Sequence, residues 1–248
     1  MRWQDEGVII GSKIFGESSV ILDVFTKEHG MHRGLVRGGT SKGKKPILQI
    51  GNLVHVTWNS RLESQLGSYS VEAQNYYSIN LIQNPIVSCG FDTMRYHLSF
   101  VAERIPHPKS YYMLVKYLSI NYENITSYYQ YAEYLFRFEY YILEELGLGL
   151  DLRSCAATGV KENLCYVSPR SWQAVSKDAG KPWHDKLLPL PKYLLSKDTR
   201  IETVKDITDS YKLFSVILEK HLWQPSGKSP NLTRERFLDS IVARLNIG

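Results

Sequence analysis

The sequence predicts an α+β protein of two domains, a five-stranded β-barrel of the OB type over residues 1–78 and a mostly helical domain over residues 79–248. Three observations carry this expectation. About the first 75 residues hold five short runs rich in β-branched and apolar side chains, separated by glycine and polar turns. From Pro85 the apolar residues recur at helical spacing instead. Residues 151–183 are rich in Gly, Ser and Pro, and read as a loop module inserted among the helices.

The strands are expected at Val8–Phe15, Val20–Thr26, His32–Val36, Val54–Trp58 and Gln65–Val71. Gly16-Glu17-Ser18-Ser19 and Lys27-Glu28-His29-Gly30 supply the turn chemistry between the first three. Five short strands in so few residues suit a small closed barrel, with an SH3-like barrel as the alternative to the OB type. Helices are expected at Ile86–Ile105, ending before Pro106 and Pro108, and at Ser110–Ile120. A longer one runs over Ser127–Leu146, where Gly147 and Gly149 stop it. The tyrosines of these stretches, among them Tyr111, Tyr117, Tyr128 and Tyr131, fit a helix–helix core better than a base-stacking platform. Within the loop module Tyr166–Pro169 reads as one short extended piece, and Ser210–Trp223 and Thr233–Leu245 close the chain as helices.

The chain has 248 residues, enough for a sizeable core, and a formal charge of +5, so the distribution of charge matters more than its total. Three cysteines make no disulfide framework and point to a reducing compartment. The N-terminus does not read as a signal peptide and no stretch is apolar enough to span a membrane, so a cytoplasmic, nucleoid-associated protein is expected.

Gly38–Lys45, GGTSKGKK, imitates a phosphate-binding loop, but Lys45 stands where the Mg²⁺-binding hydroxyl belongs. Pro46 and Gly51 leave too little room for the helix whose N-terminus would face the phosphates. What stands out is charge. From His29 to Leu62 there is no Asp or Glu, while Arg33, Arg37, Lys42, Lys44, Lys45 and Arg61 all fall there. A basic window of one sign on a small barrel suits a polyanion, bound by neutralising phosphates and releasing counterions. Lys13 on the first strand belongs to the same set, Trp58 could offer a stacking face, and Gly38, Gly39 and Gly43 could keep the loop mobile.

Other chemistry is weakly represented. G-x-S-x-G, H-E-x-x-H and C-x-x-C are absent, and single histidines such as His97 and His107 suit structural roles, so no catalytic residue is assigned. Cys155 and Cys165 flank the loop module without the paired spacing of a zinc site, since Thr158 stands where a second ligand would be. No cofactor is expected. A protein-interaction adaptor with incidental polyanion binding is the alternative reading.

Three segments resemble the RecO family of bacterial DNA-repair proteins. EGVIIGSKIFGESSVILDVFTKEHG resembles the family's opening, and YLFRFEYYILEELGLGLDLRSCAATG resembles its central helix with the F-E-x-x-x-L-x-x-L-G pattern. YVSPRSWQAVSKDAG followed by LLPLP resembles the loop of alphaproteobacterial members. The resemblance implies an N-terminal OB fold, a helical C-terminal domain and a non-enzymatic recombination mediator. Such a protein binds single- and double-stranded DNA, anneals complementary strands and helps load RecA together with RecR. It also implies a contact with the C-terminal tail of the single-stranded-DNA-binding protein, with Arg137 at the matching helix position. Some members carry a four-cysteine zinc site, of which only Cys155 has a counterpart here.

Overall fold

The structure, a computed structural model, describes residues 1–62, 64–121, 126–196 and 198–247. The first five strands are β1 (Arg2–Phe15), β2 (Ser19–Thr26), β3 (Gly30–Val36), β4 (Leu53–Asn59) and β5 (Ser68–Asn75). They close into a barrel in the order β1-β2-β3-β5-β4, with β4 returning to pair with β1. Long β1 serves two neighbours: Arg2–Val8 pairs with β4, Gly7–Phe15 with β2, and the register shifts between Ile9 and Gly11 where it passes from one to the other. A single parallel bridge, Leu35 to Ser68, joins β3 to β5. The core holds Ile9, Leu22, Val24, Val54 and Val56, all fully buried, and the alternation of these apolar positions fixes which face of each strand points inward.

Helices α1 (Ser78–Gln83), α2 (Pro85–Leu98) and α3 (Pro108–Leu118) follow. Asn84 caps α2, its Oδ1 accepting from the N–H groups of Ile86 and Val87, with Pro85 pre-set for the first turn. These helices pack on the barrel. Arg95 Nε donates to the Ile10 carbonyl at 2.6 Å, and the Tyr111 hydroxyl donates to Glu6 Oε1 at 2.9 Å. The chain accordingly divides into two compact units, Met1–Ser119 and Ile120–Gly248, whereas the sequence reading drew its boundary after residue 78, at the end of the barrel itself.

The second unit holds α4 (Thr126–Glu145), then β6 (Leu164–Val167), β7 (Ala174–Ser176) and β8 (Leu188–Pro189), with α5 (Lys177–Gly180) between the last two. Helices α6 (Val204–Leu218), α7 (Gln224–Ser226) and α8 (Leu232–Ile247) complete it, and a π-helical turn over Glu219–Trp223 joins α6 to α7. The predicted loop module is thus a small antiparallel sheet, β7-β6-β8, and it reaches past residue 183 to Pro189. Strands of four, three and two residues are too short to show alternation, which is why they read as loop. Helix α6 begins earlier than expected because Thr203 and Asp206 form a capping box.

Tyr111, Tyr117, Tyr128 and Tyr131 lie in the core, whereas Tyr112 is exposed and Tyr129, Tyr134, Tyr140 and Tyr141 are half-buried. Tyr117 and Tyr131 are fully buried, and their hydroxyls donate to the carbonyls of Val87 and Ile120. Among the described residues, no helix is long and apolar enough to cross a membrane.

Candidate nucleic-acid interface

The basic segment connects β3 to β4 and spans one end of the barrel. It is wound rather than extended: Lys45 N–H donates to the Ser41 carbonyl at 3.0 Å and Leu48 N–H to the Lys44 carbonyl at 3.1 Å, which are helix-like bonds. Leu48, 4% exposed, inserts into the barrel core and holds the segment down. Asn52, fully buried, ties its far end, donating through Nδ2 to the carbonyls of Pro46 at 2.8 Å and Ile47 at 3.0 Å. Its Oδ1 accepts from Ser78 N–H at the start of α1. This buried amide was not singled out from sequence, although an Asn before a strand is a recognisable turn signal.

Gly38 and Gly39 serve conformation and packing. Gly38 has φ +65, a turn geometry that favours glycine, and a Cβ on Gly39 would come within 2.8 Å of Val20. Gly43 faces open space and has neither constraint.

The anchored segment carries Lys42, Lys44 and Lys45 in exposed positions, and Arg37 is exposed at its start. Lys44 Nζ donates to the Arg37 backbone carbonyl at 2.8 Å, which folds this lysine back over the start of the segment. The β1–β2 hairpin lies beside them, since Thr40 N–H donates to the Ser18 carbonyl at 3.2 Å. Lys13, exposed near the end of β1, thereby joins the group. Among the described residues no carboxylate lies within ion-pair distance of these five cations.

The other predicted residues are placed differently. Arg33 projects from β3 opposite Asp23 of β2 and donates through Nε to Asp23 Oδ1 at 2.5 Å. That bond, with the charge of Asp23, holds the guanidinium above its already high pKa, so Arg33 is matched within its own sheet. Arg61 follows β4 at the end where Asn59 pairs with Ser68 of β5, and Ser68 in turn bridges Leu35 near the end of β3.

Trp58 is a correction. It is 1% exposed, its Nε1–H donates to the Leu66 carbonyl at 3.1 Å, and its ring stacks on Trp3 with centroids 5.6 Å apart. The β4–β5 connection covers the ring so closely that a Cβ on Gly67 would meet it at 2.4 Å. Alternation along β4 puts Trp58 on the inward face with Val54 and Val56, where a base cannot reach. His32 shares this cluster, its ring 4.8 Å from that of Trp58. Burial, with the nearby Arg104 charge, lowers its pKa to about 4.

In the second unit Arg137 lies on α4, with its side chain 11% exposed. Nε donates to Glu133 Oε1 at 2.8 Å, a terminal nitrogen donates to the Thr199 carbonyl at 3.2 Å, and the guanidinium lies 5.1 Å from the Tyr193 ring centroid. Glu133 also accepts from Ile201 N–H, and Arg200 stands 3.7 Å from its Oε1. A cavity of about 370 Å³ opens beside this carboxylate, lined also by Tyr129, Gln130, Tyr134, Arg200, Ile201 and Glu202. The site thus joins cations to a recess of mixed aromatic, apolar and polar lining, with Glu133 holding the place of an anion.

Cys155 is 2% exposed in the core of the small sheet, and its Sγ accepts from Ser176 N–H at 3.3 Å. Burial acts to raise this thiol, but hydrogen bonds from Ser176, Thr158 and backbone N–H groups outweigh it and bring the pKa to about 6. Cys165 is raised by burial. Among the described residues no three His, Cys, Asp or Glu side chains are grouped to hold a metal ion.

Comparison with known proteins agrees with this arrangement. Residues 1–77 match the family described as Recombination protein O N terminal, and residues 98–230 match Recombination protein O C terminal. The protein called DNA repair protein RecO in Brucella abortus is 39% identical over 248 residues, covering 100% of this chain and 99% of that protein. Its namesake in Bartonella tribocorum is 41% identical over 247 residues, covering 100% and 98%. The Bartonella quintana protein of the same name is 40% identical over 233 residues, covering 94% of each. With both family halves matched in order and the identity sustained along the whole length, this chain belongs to the RecO family.

Proposed function

We propose that the protein acts in DNA repair and recombination as a non-enzymatic mediator. It binds single- and double-stranded DNA through the barrel, brings complementary strands together, and helps load RecA onto coated single strands with RecR. The observation that carries this reading is the exposed group Lys13, Arg37, Lys42, Lys44 and Lys45 on an anchored segment at one end of the barrel. Cations left in water without carboxylate partners gain most from a phosphate backbone, which supplies anions at regular spacing and releases counterions. Screening two backbones at once lowers the repulsion between complementary strands, and base pairing supplies the rest. The same segment does not favour nucleotide hydrolysis, because Lys45 replaces the hydroxyl that would hold Mg²⁺.

The second unit would tether the mediator to coated DNA. An acidic tail ending in Phe has a terminal carboxylate that can exchange with Glu133 at Arg137 and Arg200, and a ring that suits the adjoining recess. Such a mediator would work in the cytoplasm with the nucleoid.

Replacing Lys42, Lys44 and Lys45 together with alanine tests the barrel reading. For a labelled single strand the slope of log K against log salt should flatten by about 2 units, at about 0.7 per lost phosphate contact. An unchanged slope would move the DNA site elsewhere, and a wild-type protein without salt-dependent DNA affinity would favour an interaction adaptor.

A further inference from the structure

With Trp58 buried, the barrel strands still present one exposed aromatic, Phe15, which is 56% exposed at the end of β1. We propose that Phe15 is the stacking surface for bases of a single-stranded nucleic acid whose phosphates are held by the neighbouring cations; this rests on the DNA reading given above.

The register decides which way Phe15 points. Residues directly opposite in an antiparallel pair share a face. Ser12 and Ile14 lie opposite Leu22 and Val20, which are in the core, but Ser12 and Ile14 are themselves exposed, because this end of β1 runs out past the core. Lys13 and Phe15 lie opposite Ile21 and Ser19 and look outward. On the outward face Lys13, Ile21 and Leu35 stand in line across the three strands, the last two half-buried, with Phe15 diagonal to Ile21, the Asp23–Arg33 pair in the next row and Arg37 just beyond β3. An apolar strip bordered by cations matches a single strand, in which base faces and phosphates alternate, better than it matches a duplex with stacked bases.

Position supports the same occupant. The hairpin turns at Gly16, whose φ of +64 suits glycine, and a Cβ there would meet nothing within 4 Å, so the tip stands clear. The tip is nevertheless held, because Thr40 N–H and Oγ1 both reach the Ser18 carbonyl, at 3.2 and 3.3 Å. Thr40 belongs to the segment that carries Lys42, Lys44 and Lys45, so the base-contacting and phosphate-contacting groups are fixed to one another. A single exposed apolar residue is ordinary. Here Ile14 beside it is 68% exposed as well, and the two crown a tip that adds nothing to the core.

Binding of the full-length protein to a labelled thymidine oligonucleotide, and to an abasic oligonucleotide of the same length, tests the assignment. Phe15→Ala should weaken thymidine binding about tenfold, within the range for loss of one base–aromatic stack, with an unchanged salt slope and unchanged abasic affinity. Phe15→Trp should restore binding, and its added emission, taken against the wild-type protein, should be quenched by the thymidine strand and not by the abasic one. Because the side chain is exposed, melting temperature and circular dichroism should be those of the wild type. If Phe15→Ala binds thymidine as wild type does while the salt slope stays steep, the stacking assignment falls and the phosphate reading stands. Equal weakening on both oligonucleotides would also overturn it. Absence of salt-dependent binding by the wild type would remove the DNA reading first.

Discussion

The cations at the end of the barrel and those buried in the helical unit sit in opposite surroundings. Lys42, Lys44 and Lys45 are exposed, and no carboxylate among the described residues meets them. Arg234 on α8 is 2% exposed, and Glu139 on α4 grips it through two oxygens, at 2.6 and 2.9 Å. Ser215 takes its remaining edge at 2.7 Å, and Tyr211 lies 4.3 Å from the guanidinium. A charge removed from water must be matched by its own chain, and is then committed. A charge left in water makes little difference to the fold and is available to an outside anion. Arg137 falls between the two: matched by Glu133, yet beside an open recess.

The largest effect should come from breaking the committed pair. Glu139→Ala or Arg234→Ala should lower the unfolding free energy by about 3–5 kcal/mol, because each leaves the other charge buried alone. Replacing both with apolar residues of similar volume should recover much of the loss in denaturant titrations. A small effect of the single changes would erase the contrast with the lysines, whose joint replacement should alter stability by no more than about 0.5 kcal/mol at each site.

A buried base without a carboxylate partner makes the next test. His32 is held neutral by burial, so its folded pKa of about 4 lies below the ordinary 6.5. Its contribution to stability is therefore complete above pH 6.5 and is lost as pH falls toward 4, where the unfolded chain takes up a proton that the folded one refuses. The melting temperature of the wild type should drop through that window, and His32→Asn should flatten the drop.

The intermediate case is the smallest. Arg137→Ala should weaken binding of an acidic peptide ending in Phe by about tenfold, the scale of one well-placed arginine at an interface. Glu133→Gln should strengthen it, since the competing carboxylate is gone. An Arg137 with no influence on peptide binding would belong with Arg234 as a structural residue.

Much of this was legible in the residues. All five barrel strands and the principal helices were anticipated from periodicity, because each is long enough to repeat its own pattern, although α2 ends at Leu98 rather than Ile105 and β1 begins at Arg2 rather than Val8. The sheet of β6, β7 and β8 was not, since it is held by contacts among Cys155, Leu164, Val167, Ala174 and Leu188 that no local window contains. The start of α6 could have been found from Thr203 and Asp206, whose spacing is a cap signal.

By itself the sequence determined the order of strands and helices and the long stretch without acids, because both are properties of consecutive residues. Only the tertiary structure decided which of those cations act together. Strand pairing set Arg33 against Asp23. Burial withdrew Trp58 from any ligand, while the register of β1 on β2 turned Phe15 outward in its stead. Which side of a strand a residue occupies, and what stands opposite it, is fixed by partners distant along the chain.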